Sequence, residues 1–266
     1  MIRTALLVSA FCATQAHAES LEWDPVIDTA ITVATNATWL SVYLAVEPGL
    51  SNEDRDFSTL DEGDLFLTDR PFAGRWDPTS DTVSDVLLYG SLAVGSAAVT
   101  TWGLRNEGNL VPLQIYAQAF GINGAITYAL KHALDRPRPY TYATTPSDDM
   151  QEAMRHIDST LSFPSGHTSL FAVSSFTTAA IIAPHMTDAR WIYGGATLLT
   201  ATMGGLRVSA GKHFPTDVLV GGILGAAIGT STVAMHRSRP PEQVRMWANT
   251  PSETAEPVVF GVTRSW

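Results

Sequence analysis

Long apolar segments, bounded by residues that start or stop helices, set the architecture of this chain. Six of them have helical length, and strand-like alternation occurs only at 257–262. The six lie at about 25–46, 83–104, 111–134, 168–184, 191–206 and 216–236. Gly221, Gly225 and Gly229 place a small residue at every fourth position, which lets helices approach closely in a membrane or in a soluble bundle. The sequence therefore predicts an all-α fold, a single bundle of about six helices.

No linker and no internal repeat divides the 266 residues, so we expect one domain. Residues 1–18 resemble a signal peptide, with Arg3 before an apolar stretch and Ala16-His17-Ala18 as the cleavage site; a short membrane anchor is the alternative. Within the rest, 19–110 holds two helices and a polar loop, 111–236 holds the core that carries the chemistry, and 237–266 is a polar tail.

Charge narrows the range of partners. The formal net charge is −10, from 16 Lys and Arg against 26 Asp and Glu. This balance argues against a nucleic-acid partner and against electrostatic attraction to anionic lipids. Because cations are scarce, their concentration in three short motifs is informative.

The first two motifs flank the segment between the third and fourth predicted helices. Lys131 closes a helix and Arg138 follows between two prolines; a lysine and a bidentate arginine together suit phosphate oxygens. Spacing alone leaves Arg136 as an alternative to Arg138. In Pro164-Ser165-Gly166-His167, Ser165 is a candidate helix N-cap, and the free amides of that first turn favour an anion. His167 could exchange a proton with such an anion.

The third motif joins the fifth predicted helix to the sixth. Arg207 ends one helix, His213 precedes the next, and Asp217 lies one turn inside it. This spacing would let the Asp217 carboxylate accept from one nitrogen of His213 and leave the other nitrogen as a nucleophile or base. The alternative is a surface histidine beside a carboxylate that interacts only with the helix dipole.

In order and spacing these motifs resemble the signature of the type 2 phosphatidic acid phosphatase and vanadium haloperoxidase superfamily, which is K-x6-R-P, P-S-G-H and S-R-x5-H-x3-D. The match spans 131–217, and its one departure is Leu206, where the family has serine. The resemblance implies a helical bundle with the motifs at one end. It also implies that His213 attacks phosphorus, that Asp217 orients it, and that His167 protonates the leaving oxygen and then activates water. The implied phosphate-binding residues are Lys131, Arg138, Ser165, Gly166 and Arg207.

The function that follows is a metal-independent phosphatase acting on a phosphomonoester or diphosphate, with a lipid phosphate preferred, through a phosphohistidine intermediate. We expect no metal and no cofactor, and we expect vanadate to inhibit. The alternatives are a non-specific soluble periplasmic acid phosphatase and a haloperoxidase that holds vanadate as its cofactor on His213. A binding protein without activity finds support only in Leu206.

We expect the protein to be exported, to associate with a membrane and to present its site to the periplasm. The sequence leaves open whether the bundle is integral, peripheral or soluble, and it does not indicate the oligomeric state. If residue 19 lies outside and all six helices cross, counting crossings puts the motifs on the cytoplasmic side. A periplasmic site therefore requires that the first helix does not cross or that the bundle does not span.

Overall fold

The computed structural model of the chain describes residues 20–237, so the expected signal peptide and the strand at 257–262 lie outside the described residues. The described part is all-α and contains two isolated β-bridges but no strand. Its helices are α1 (Ile27–Ser41), α2 (Pro78–Asn106), α3 (Val111–Leu134), α4 (Asp148–Arg155), α5 (Gly166–Ile182), α6 (Arg190–Ser209) and α7 (Pro215–Met235). The six predicted helices are confirmed, and the short α4 is an addition.

The start of α2 differs from the prediction because a capping aspartate and a proline start the helix earlier in the chain. Asp77 is the N-cap, and its side chain accepts from the backbone N of Thr79 at 3.0 Å. Pro78 occupies the first helical position, where its missing N–H costs nothing. As a result α2 begins at Pro78 rather than near 83, and its first two turns carry Asp81 and Asp85.

The bundle is organised around α5, which packs against α2, α3, α6 and, most extensively, α7. The predicted glycine stripe of α7 faces α5. A Cβ at Gly221 would lie 2.6 Å from the carbonyl oxygen of Ser165, and one at Gly225 would collide with the carbonyl oxygen of Ser169. Only glycine permits this approach, so the start of α5 is held directly against the start of α7.

The three motifs meet at one end of the bundle, as expected. The end of α6 touches the start of α2 through a hydrogen bond from Arg207 Nη1 to Asp81 Oδ1 of 2.6 Å. The start of α5 touches the start of α7 through the backbone bond from Ser165 N to Asp217 O of 3.0 Å. Lys131, in the last turn of α3, donates to the carbonyl oxygen of Leu161 just before α5.

The first helix runs the length of the bundle. Leu21, just before α1, forms a β-bridge with Arg237, just after α7 and at the end opposite the motifs. Beyond the carboxyl end of α1, Glu47 lies 3.2 Å from His132 in the last turn of α3, near the motifs. In a bundle that spans a membrane, Leu21 and the motifs would therefore lie on opposite sides.

Large apolar side chains cover the outer faces of α2, α6 and α7. Val94 is 70% exposed, Leu198 69% and Leu219 63%. Four segments in the described part of the chain are long and apolar enough to cross a membrane: Ile27–Gly49, Pro78–Asn106, Gly166–His185 and Pro215–Met235. Continuous apolar surface of this kind is unusual on a water-soluble monomer, and it supports association with a membrane.

Candidate active site

The first two motifs touch at the end of α3. Asp135 ends the helix in a left-handed conformation with φ of 43°, and the chain then turns back so that Arg138 N donates to Ser159 O at 2.9 Å. A Cβ on Gly166 would lie 3.3 Å from Cε of Lys131, so the lysine stem runs past the start of α5. The predicted lysine and the predicted Ser-Gly turn therefore belong to one site.

Two buried arginines each have a nitrogen without a partner among the described residues. Arg138 donates from Nε to Asp158 O at 2.7 Å and pairs through Nη2 with the Asp158 carboxylate, while its Nη1 is unpartnered. Arg207 donates from Nη1 to Asp81 Oδ1 at 2.6 Å and to Ser84 Oγ at 2.8 Å, while its Nε is unpartnered. Leaving a buried N–H without an acceptor is costly, and a phosphate oxygen would supply that acceptor.

Arg136, the alternative to Arg138, is occupied elsewhere. Its Nη2 donates to Asp69 Oδ2 at 2.8 Å, and its Nη1 donates to Thr216 Oγ1 at 2.9 Å and to the Asp217 carboxylate. Both carboxylates are fully buried, and they neutralise the guanidinium. The contacts of Arg136 therefore tie the loop before α2 to the start of α7, and Arg138 is the arginine with a donor to spare.

Ser165 is the N-cap of α5, as predicted. Its backbone is extended, with φ of −66° and ψ of 111°, and its Oγ accepts from Thr168 N at 3.4 Å. Gly166 and His167 follow as the first helical residues. The first-turn amides and the positive end of the α5 dipole thus lie beside Lys131, which suits an anion.

A glycine turn sets the position of His213. Gly211 has φ of 74°, and a Cβ there would collide with the carbonyl of Arg75, so this turn packs closely on the segment before α2. His213 follows and is 1% exposed. Its Nδ1 lies 2.6 Å from Ser162 O, and since a carbonyl only accepts, Nδ1 carries the hydrogen. The lone pair is then on Nε2, the nitrogen required for attack on phosphorus.

The structure differs from the expected hydrogen bond between His213 and Asp217. Asp217 Oδ2 is 3.9 Å from Nδ1, beyond hydrogen-bonding distance. That oxygen instead accepts from Ser162 Oγ at 2.6 Å and from Phe214 N at 2.8 Å, so it caps α7 and is already engaged. Asp217 therefore reaches the imidazole through Ser162, whose carbonyl holds Nδ1.

Burial and charge keep His213 neutral. The pKa of His213 lies well below its ordinary value because burial disfavours the imidazolium and because Arg138 and Lys131 repel it. The pKa of Lys131 is also lowered. Burial, assisted by Arg138, lowers the pKa of Lys131 to about 7. The site thus combines a neutral imidazole with a lysine whose charge depends on pH near neutrality.

Several site residues were missed by the sequence reasoning. Lys212 lies 3.2 Å from Asp81 Oδ2, with its Nζ over the rings of Trp76 and Tyr140. His167 Nε2 lies 2.7 Å from Asp85 Oδ1. The sequence feature that could have indicated these contacts is the pair Asp81 and Asp85, which lie one turn apart at the start of a largely apolar helix. The remaining missed residues, which no motif marks, are Asp69, Asp158 and Ser162.

A comparison with protein families agrees with the grouping of the three motifs. A family model described as the PAP2 superfamily matches residues 112–241, which contain all three motifs. Among solved structures, the chain is similar to the first transmembrane PAP2 type phosphatidylglycerolphosphate phosphatase from Bacillus subtilis, at 18% identity and a TM-score of 0.48, over 78% of this chain and 94% of that one. No curated protein matches the sequence. Residues 112–241 of this chain, which carry the three motifs, are thus a PAP2 superfamily region.

Proposed function

We propose that this protein is a phosphatase that hydrolyses a phosphomonoester or diphosphate through a phosphohistidine on His213. The observation that carries the proposal is the convergence of buried cations on a neutral, tautomer-fixed imidazole. Arg138 and Arg207 each keep a buried N–H without a partner among the described residues. The match of residues 112–241 to the PAP2 superfamily supports the same chemistry.

In the first step, Nε2 of His213 attacks phosphorus and the bond from phosphorus to the leaving oxygen breaks. Arg138, Arg207 and Lys131 stabilise the charge that develops on the phosphoryl oxygens, together with the Ser165 hydroxyl and the first amides of α5. His167 gives its proton to the leaving oxygen. Because these donors are already in place, the transition state needs little reorganisation.

In the second step, His167 takes a proton from water and the resulting hydroxide attacks phosphorus. The bond from phosphorus to Nε2 breaks, inorganic phosphate leaves and His213 is again neutral. The hydrogen bond from Nδ1 to Ser162 O holds the ring in the same tautomer before and after the reaction. In this mechanism the protein's own cations supply all the charge stabilisation, so we propose that no metal or cofactor takes part.

We propose a lipid phosphate as the substrate. The exposed apolar faces of α2, α6 and α7 would place the site end of the bundle at a membrane surface, where the phosphate head group of a lipid lies. The alternatives from the sequence are a soluble phosphoester and a haloperoxidase, and no contact among the described residues favours either.

The decisive assay compares lipid and soluble phosphates in detergent. We expect phosphate release from a lipid phosphate at a higher kcat/KM than from a soluble ester, with no loss in EDTA and with inhibition by vanadate, which imitates five-coordinate phosphorus. Absence of phosphate release from every ester contradicts the proposal, as does activity lost in EDTA and restored by a divalent cation. Halide oxidation in the presence of vanadate and peroxide would favour the haloperoxidase.

We propose that the site faces the periplasm. Since α1 runs the length of the bundle, a spanning bundle with this orientation places Leu21 on the cytoplasmic side. A cleaved signal peptide, a spanning bundle and a periplasmic site therefore cannot all hold together. A bundle bound to the outer surface of the membrane keeps the signal and the periplasmic site.

Two cysteine variants, each also carrying Cys12→Ser so that the introduced cysteine is the only one, test this orientation in whole cells. Ser58→Cys lies in the exposed loop before α2, at the site end, and Thr187→Cys lies between α5 and α6, at the other end. An impermeant maleimide should label Ser58→Cys in a spanning bundle and both variants in a surface-bound one, and a carbonate wash separates these two cases. Labelling of Thr187→Cys alone places the site in the cytoplasm and contradicts the proposal.

A further inference from the structure

The shortest contact between a histidine and a carboxylate in the site is not the expected one. His167 Nε2 lies 2.7 Å from Asp85 Oδ1, whereas His213 Nδ1 lies 3.9 Å from Asp217 Oδ2. Asp85 lies on α2, outside the residues that the family model matches. The histidine that handles the proton, rather than the nucleophile, therefore has the direct carboxylate partner.

We propose that Asp85 is a positioning residue for proton transfer, which orients His167 and stabilises its protonated form. The inference rests on the proposed phosphatase function. A carboxylate only accepts hydrogen bonds, so Nε2 of His167 carries the hydrogen that points at Asp85. Nδ1 is then the nitrogen that gives a proton to the leaving oxygen and later takes one from water.

The charges around His167 explain why it needs such a partner. His167 lies in the first turn of α5, where the helix dipole disfavours a positive charge. Arg207 is also close, since its Nη1 lies 3.8 Å from Asp85 Oδ1. Burial and the charge of Arg207 lower the pKa of His167 to about 4, although the hydrogen bond and charge of Asp85 act to raise it. Without Asp85 the protonated form would be rarer still, and a neutral imidazole with its hydrogen on Nε2 has no proton to give from Nδ1.

Two neighbouring acids on α2 have separate partners. Asp81 binds Arg207 and Lys212, at 2.6 and 3.2 Å, and so holds cations. Asp85 binds His167, and its side chain is 48% exposed, which places the pair on the open side of the site where a leaving group and water can reach it. Loss of Asp81 should therefore weaken phosphate binding, and loss of Asp85 should weaken proton transfer.

The test compares two substrates that share the phosphoryl group and differ in the leaving group. An aryl phosphate with a nitrophenolate leaving group needs little protonation, whereas an alkyl phosphate needs a proton as its bond to phosphorus breaks. In the full chain, Asp85→Asn should lower kcat/KM, which covers the steps through release of the leaving group and not the later hydrolysis of the phosphoenzyme, on the order of 10²-fold for the alkyl ester and only a few-fold for the aryl ester. His167→Ala should show the same selectivity, and Glu107→Gln, after the far end of α2, should change neither rate.

Each outcome decides the inference. An equal loss on both esters in Asp85→Asn, or no loss on either, overturns it, because a merely structural role does not depend on the leaving group. If Asp85→Asn does not accumulate, Asp85→Glu is measured instead, and an unchanged ratio of alkyl to aryl rates overturns the inference. If the wild-type protein hydrolyses neither ester, the proposed function itself fails, which is a different result.

Discussion

The two parts of the described chain contribute different residues to the site. Residues 111–236 supply the motif cations, including Lys131, Arg138 and Arg207. Residues 20–110 supply three carboxylates that bind residues of the other part. Asp69 accepts from Arg136, and Asp81 accepts from Arg207. Asp85 lies in hydrogen-bonding contact with His167. The comparison teaches that the cations of the motifs are marked by a sequence signature, whereas these three carboxylates, which hold motif residues or Arg136 in place, are not.

The largest effect should come from the motif-bearing part. Replacing the proposed nucleophile in His213→Ala should lower kcat on the order of 10⁴-fold or more, because the proposed covalent step is lost. Brief reaction with labelled substrate should give an acid-labile phosphoenzyme in the wild type and none in this variant. His167→Ala is the control that should still form the labelled species from an aryl phosphate. Near-normal turnover by His213→Ala would disprove the mechanism.

A smaller effect should follow from losing the carboxylate that acts through Ser162. Asp217→Asn should lower kcat on the order of 10²-fold, since an amide cannot accept from Ser162 Oγ, Phe214 N and Arg136 together. Because Ser162 lies between Asp217 and His213, Ser162→Ala should account for part of the same loss. A double-mutant cycle should then show non-additive effects, and strict additivity would contradict this indirect path.

Replacing a carboxylate of the amino-terminal part should have a smaller effect, and the effect should appear in KM more than in kcat. Asp81→Asn removes the charged acceptor of Arg207 and Lys212, so KM should rise about tenfold with a smaller change in kcat. Alkyl and aryl phosphates should be affected equally, in contrast to Asp85→Asn. A change in kcat that depends on the leaving group would show that the two acids of α2 do not have separate tasks.

The smallest effect concerns pH. With its pKa lowered to about 7, Lys131 is charged below that pH and neutral above it. Phosphate binding uses the charge, so kcat/KM should fall as pH rises, by about fourfold at pH 7.5 relative to the acid plateau. Lys131→Arg keeps its charge and should lose this alkaline limb. An identical limb in the arginine variant would assign it to another group.

The sequence predicted the helices and the meeting of the three motifs at one end of the bundle because both leave local signals. Prolines and glycines mark the helix ends around Arg138 and His213, and spacing within 131–217 carries the family signature. The choice between Arg136 and Arg138 could not be made from local spacing and rested on the family resemblance, because the contacts of Arg136 depend on Asp69, 67 residues away. The direct partner of His167 was missed for the same reason, since 82 residues separate it from Asp85.

Asp217 shows a different limit. Its spacing from His213 is consistent with a direct hydrogen bond, and the helix start indeed places the two residues one turn apart. The competition for its oxygens comes from the backbone N–H of Phe214 and from Ser162, whose proximity depends on the packing of α5 against α7. A periodic pattern indicates which residues share a face, but it does not indicate which donor occupies an acceptor.

The 126 residues that separate Asp81 from Arg207 have a consequence for biosynthesis. At about 5–20 residues per second, the ribosome reaches Arg207 about 6–25 s after Asp81. During that interval α2 exists with its acids but without the arginine of α6. In a bundle that spans a membrane, an unpaired carboxylate is costly inside the bilayer, so the first turns of α2 should lie at the membrane surface before α6 emerges, as they do in the folded bundle. A ribosome stalled before Arg207 would therefore hold a nascent chain whose α2 already has its final depth, and glycosylation-distance or crosslinking mapping of such chains would measure that depth.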